Sequence, residues 1–222
     1  VNGNAGCILP QNGFLEDLRA LCNDHGVLLI FDEVMTGFRV AKGGAAEYYS
    51  VIPDLYAFGK IIGGGMPIGA YAGKKEIMNQ MSPSGSIYQA GTLSGNPIAV
   101  SAGIATLELL NDEAYDKLEL LGKYFEDQLQ IMIDENEHVL FQQRIGSMFS
   151  LFFHSGPILN VNDVKNCDFE MFAKYFHGLL KNKIYIAPSQ YEVGFISLSH
   201  GRSMLDVTLS IIDKVLNEIM VH

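Results

Sequence analysis

The run Val27-Leu28-Leu29-Ile30-Phe31, closed by Asp32-Glu33, holds five apolar residues with no polar alternation. A short unbroken apolar run reads as a strand buried on both faces, the habit of a parallel sheet covered by helices. Upstream, Phe14, Leu15, Leu18, Leu21 and Cys22 recur at helical spacing over 13–24, and Gly26 follows, as expected just past a helix end. Helix followed by buried strand is the elementary unit of an α/β protein.

Two more strands are expected downstream. One is 55–58, ending at Gly59-Lys60; the other is 69–73, whose small residues suit close backbone packing. Asn96-Pro97 reads as an N-cap with proline at the first helical position, opening a helix over 97–110. Asn111-Asp112-Glu113 restarts the pattern, and a long helix runs to about residue 134. Beyond it, strands are expected at 138–142, 148–153, 184–187 and 194–198, with amphipathic helices over 168–181 and 203–220. The expected architecture is two α/β lobes: residues 1–110 with a mostly parallel sheet, and a smaller α/β domain over 111–222.

Composition narrows the function classes. The chain has 222 residues, 48% apolar and 18% charged, which suits an ordered globular protein. Fifteen basic against 25 acidic residues give a net charge of −10, a poor basis for holding nucleic acid or an anionic membrane. No stretch approaches the roughly 18–20 apolar residues that span a bilayer. Cys7, Cys22 and Cys167 lack CxxC spacing, so free thiols in a reducing, cytoplasmic setting are expected. The six histidines show no metal-ligand spacing, and no metal site is expected. Val1-Asn2-Gly3 offers no initiator Met and no signal core, and reads as the interior of a longer chain.

Asp32 and Lys60 each sit at the carboxyl end of an expected strand, where open α/β sheets gather ligands. Taken singly, the Asp reads as a cap and the Lys as a solvated surface residue. Together, with Gly59 before and Gly63-Gly64-Gly65 after the lysine, they are the parts that hold pyridoxal phosphate. The lysine amine condenses with the aldehyde, and the carboxylate keeps the pyridine N–H protonated, so that the ring draws electrons. Val34 is placed to press on the ring face, with ordinary core packing as an equal alternative. Gly91-Thr92-Leu93-Ser94-Gly95-Asn96-Pro97 sets backbone N–H groups and hydroxyls ahead of a helix start, an anion site or a plain capped loop.

The segment 29–39, with Pro53-Asp54-Leu55 and Gly59-Lys60-Ile61-Ile62-Gly63-Gly64-Gly65, resembles the class III pyridoxal-phosphate aminotransferases of fold type I. Phe38-Arg39-Val40-Ala41, Tyr88 through Pro97, and Ala187-Pro188-Ser189-Gln190-Tyr191-Glu192-Val193-Gly194-Phe195 are similar to its aminomutase branch. That resemblance implies pyridoxal or pyridoxamine phosphate as cofactor and conversion of glutamate 1-semialdehyde to 5-aminolevulinate, for tetrapyrrole synthesis. Lys60 would be catalytic and bind the aldehyde, Asp32 would pair with the ring nitrogen, and Val34 would cover the ring. Gly91 and Thr92 would bind the cofactor phosphate of a second subunit in a homodimer. Tyr88 and Glu192 would line the substrate site. The competing readings are a class III ω-aminotransferase using 2-oxoglutarate and a non-catalytic fragment. The resemblance also implies a missing N-terminal half with the rest of the phosphate cup, so the 222 residues are expected to be a poor catalyst alone.

Overall fold

The computed structural model describes residues 1–135 and 139–220. The chain divides into two compact units, Gln11–Glu113 and a second built from Ala114–His222 with Val1–Pro10.

The first unit opens with α1 (Phe14–Asp24), followed by β1 (Ile30–Asp32), the short α2 (Gly44–Tyr48) and β2 (Leu55–Phe58). A 3-10 turn (Lys60–Gly63), β3 (Ala70–Gly73), α3 (Lys75–Met78) and α4 (Pro97–Leu109) complete it. The sheet order is β1-β2-β3, with β1 parallel to β2 and β3 antiparallel to β2. Burial of the 27–31 run is not as expected. The strand covers Ile30–Asp32, and only Leu29 of the run is buried, while Ile30 is 59% exposed. Ile30 and Asp32, which share one face of the strand, are both exposed, while Phe31 on the other face is half-buried.

A buried carboxylate ties this unit together. Asp54 accepts from Arg19 Nη1 at 2.7 Å, from Lys74 Nζ at 2.6 Å and from the Leu29 N–H at 2.8 Å. One side chain thereby joins α1, the approach to β1, the start of β2 and the end of β3. The Lys74, Leu29 and Arg19 donors, in that order, hold its carboxyl well below the usual range.

The second unit holds α5 (Asp112–Glu135, its first two residues in the first unit), β4 (Phe141–Ile145), β5 (Met148–Phe152), α6 (Val161–Lys165), α7 (Phe169–Lys181), β6 (Gly194–Phe195) and α8 (Arg202–Ile219). The antiparallel sheet β4-β5-β6 packs with the helices around Phe125, Leu129, Leu151, Leu179, Leu209 and Val215. Asp168 caps α7 by accepting from the Met171 N–H at 2.8 Å.

Two strand expectations fail here. Residues 184–187 form no strand, and the expected 194–198 strand shortens to two residues. Beyond Met148 and Phe149, the β5 edge is taken by a side chain instead of a backbone. Gln190 Nε2 donates to Leu151 O at 2.8 Å, and its Oε1 accepts from the Phe153 N–H at 3.4 Å. The 138–142 strand begins later, at Phe141, and His138 lies outside the described residues.

Candidate functional site

Asp32 is the last residue of β1 and pairs level with Ala57 of β2. Level residues of neighbouring strands share a face of the sheet, and so do residues two apart. Asp32, Ala57 and Gly59 therefore belong to one side. Val34 closes over the same place: a Cβ built on Gly59 would stand 3.2 Å from Val34 Cγ1. The two strand ends are thus in contact through Val34 and Gly59, and Lys60 follows immediately.

The Asp32 carboxylate is aimed by its own turn, since Oδ1 accepts from the Val34 N–H at 3.0 Å. The residue is exposed, so the carboxylate faces open space. Lys60 is also exposed and adopts φ +52°. A side chain in the left-handed region costs about 1 kcal/mol or more and recurs at functional sites. Lys183, just past a helix end in the second unit, shares this backbone region at φ +67°, so it is the place of Lys60 beside Gly59 and Val34 that sets it apart. The turn that begins there is pressed onto α4, where a Cβ on Gly103 would stand 2.2 Å from Ile62 O. α4 thereby braces the lysine turn by direct backbone contact.

The other expected residues fall into two groups. Tyr88, Gly91 and Thr92 lie on an exposed loop of the same unit, with Tyr88 81% exposed. The loop is joined to β3 through Tyr71 Oη, which donates to Gln89 Oε1 at 3.2 Å. Residues 91–94 form a turn closed by Ser94 N–H to Gly91 O at 2.9 Å. The helix start behind it offers less than the sequence suggests. Asn96 Oδ1 accepts from the N–H groups of Ile98 at 3.0 Å and Ala99 at 3.3 Å, which consumes the helix-end donors. An anion here must be held by the 91–95 loop and the Thr92 hydroxyl.

Glu192 belongs to the second unit. It lies on an exposed turn, its N–H donating to Ser189 O at 3.0 Å, beside a cavity of about 800 Å³ lined also by Tyr175, Gln190 and His200. Gln190 and the Gly6 N–H, which donates to Tyr191 O at 2.7 Å, fix that turn. His200 Nδ1 accepts from the Ser197 N–H at 3.0 Å, a structural bond.

Sequence reading passed over three anchoring residues. Glu33, Asp54 and Gln190 are polar, buried and multiply bonded. Each stands inside a stretch that resembles the family, 29–39, 53–55 and 187–195, but nothing in its residue type marks it as an anchor.

Comparison with known proteins gives a consistent picture. The family described as "Aminotransferase class-III" matches residues 1–189. The chain is 50% identical over 222 residues to a glutamate-1-semialdehyde 2,1-aminomutase of Methanosphaera stadtmanae, covering 99% of this chain and 52% of that one. It is 51% identical over 215 residues to the enzyme of that name from Geotalea daltonii, covering 96% and 50%. The crystal structure of an omega-transaminase from Sphaerobacter thermophilus superposes with a TM-score of 0.90 at 27% identity, covering 99% and 51%. The chain spans about half the length of the curated relatives it matches.

Proposed function

Since the chain belongs to the class III aminotransferases, we propose that it carries the lysine-bearing part of a pyridoxal-phosphate aminomutase converting glutamate 1-semialdehyde to 5-aminolevulinate. The observation that carries this reading is the pairing of β1 with β2. It sets Asp32 level with Ala57, three residues ahead of Lys60, with Val34 against Gly59 between them.

These residues fit the cofactor. Gly59 leaves a surface under Val34 that a Cβ would fill, and the Asp32 carboxylate is exposed beside it. Pyridoxal phosphate, when bound, supplies an electron-withdrawing ring that stabilises negative charge on the carbon losing a proton. Asp32 would accept the ring N–H, a charge-assisted bond that keeps the nitrogen protonated. Val34 would cover one ring face and exclude water from it. Lys60 Nζ would hold the aldehyde carbon and, when free, take a proton at one carbon and return it at another. The turn braced by α4 limits how far that amine travels.

The Gly91-Thr92 loop would reach the cofactor phosphate of a second copy, with Tyr88 beside it. Two features support a homodimer: the exposure of that loop, and the exposed apolar side chains of α4, where Ile98 is 67% and Leu109 71% exposed. Glu192 would meet the substrate amino group. Cytoplasmic location fits the three free, buried thiols.

A transaminase reading is favoured by the structural likeness to the Sphaerobacter enzyme. One assay separates the two. The full-length protein is given glutamate 1-semialdehyde with no keto acid. Formation of 5-aminolevulinate supports the mutase, and strict dependence on 2-oxoglutarate overturns it.

A further inference from the structure

One buried acid near the strand ends has no task in the reaction as described. Glu33 has zero exposure. Its Oε2 accepts from the Thr36 hydroxyl and from the Ala45 N–H at 2.9 Å, and its Oε1 accepts from the Ala46 N–H at 2.8 Å. Its backbone is equally fixed: the N–H donates to Ala57 O at 2.9 Å, and the carbonyl accepts from the Gly37 N–H at 2.8 Å. The fit is closed by Gly44, at φ +71°, where a Cβ would stand 2.5 Å from Glu33 Oε2. The charge is felt nearby, for burial first and the Glu33 carboxylate second push the Tyr56 phenol upward.

A buried carboxylate costs several kcal/mol unless its oxygens are satisfied, as they are here. The residues on either side of Glu33 are Asp32 and Val34. The peptide joining Glu33 to Val34 supplies the N–H that aims Asp32 Oδ1. With Glu33 clamped at its side chain and at both backbone ends, that N–H has one direction.

We propose that Glu33 is a positioning residue, holding the 33–37 turn so that Val34 aims the Asp32 carboxylate at the cofactor ring nitrogen. This rests on the cofactor reading above. The turn is a rigid insert between β1 and the 41–46 segment, and the ring-nitrogen contact depends on it.

The test compares two ligands on the full-length apoprotein: pyridoxal phosphate, and its carbocyclic analogue with C–H in place of the ring nitrogen. Only the first rewards an aligned Asp32. A charge-assisted hydrogen bond sets the wild-type preference at roughly 10- to 100-fold. In Glu33→Ala the preference falls by roughly tenfold, and in Thr36→Val, which removes one donor to the carboxylate, by about threefold. Glu33→Gln keeps the volume and retains part of the preference. A purely structural role weakens both ligands in parallel and leaves the ratio at its wild-type value, which overturns the proposal. If Glu33→Ala does not fold, the Thr36→Val and Glu33→Gln ratios decide by the same criterion. A wild-type protein that binds both ligands equally refutes the Asp32 assignment itself, and the proposal with it. A wild-type preference that survives in every variant refutes Glu33 alone.

Discussion

Gly103→Ala tests the bracing of the lysine turn. The added Cβ would stand 2.2 Å from Ile62 O, against about 3.3 Å for a relaxed carbon–oxygen contact. The obstacle is a backbone carbonyl, so no rotamer change relieves it. Either α4 withdraws or the Lys60–Gly63 turn moves, by about 1 Å in either case. Overpacking of this kind costs about 1–3 kcal/mol. A reacting group displaced by about 1 Å loses roughly 100-fold in rate. The assay pairs a urea melt with the rate at which the apoprotein takes up pyridoxal phosphate, followed by absorbance. Gly69→Ala is the control, since a Cβ there meets only Phe58 O, at an ordinary 3.7 Å. The expected result is a lower urea midpoint and much slower uptake for Gly103→Ala, with the control near wild type. A Gly103→Ala protein that matches wild type in both measurements refutes the bracing argument.

Lys60→Gly is expected to be more stable than Lys60→Ala by about 1 kcal/mol, because φ +52° suits glycine and strains alanine; equal melting curves would contradict the strain at this residue. Asp54→Asn should lose several degrees of melting temperature at pH 7. The folded carboxyl of Asp54 lies below its unfolded value of 3.8, so its contribution is full above that pH and fades as the pH falls beneath it. The gap between the melting curves of variant and wild type should narrow steadily as the pH falls below 3.8; a gap of unchanged size from pH 7 to pH 2 argues against the ionic hub. Burial pushes the Cys7 thiol up to about 12 and the Cys167 thiol to about 11, so both should react slowly with a thiol reagent at pH 8 until the protein is unfolded. The folded Cys7 value exceeds the unfolded 9.0, so its contribution is present below pH 9 and is lost as the pH rises toward 12.

How much of this was legible beforehand depends on whether the signal was local. The helix at 97–109 was written in Asn96-Pro97, and the structure puts the Asn96 side chain on two helix-end N–H groups. Asp32 and Lys60 were legible as strand-end residues because apolar runs stop at them. The exposure of Ile30 was not, since an apolar run carries no record of whether the chain at hand covers both its faces. The missing strand over 184–187 was equally hidden. Its apolar residues alternate as a strand would, but the β5 edge is taken by the Gln190 amide, a contact between residues 39 apart in sequence. The anchoring role of Asp54 was hidden for the same reason, its donors lying on α1, before β1 and after β3, whereas the side-chain donors of Glu33 all lie within 13 residues of it, in its own turn and on α2. The left-handed backbone of Lys60, which it shares with Lys183, has no signature in the residue type at all.

The central claim is that one amine among the lysines is built to hold the cofactor. Full-length protein saturated with pyridoxal phosphate is reduced with borohydride, digested, and its peptides weighed. The phosphopyridoxyl mass is expected on the peptide containing Lys60. The same mass on Lys74 or Lys75, or on no lysine of a saturated protein, would contradict it.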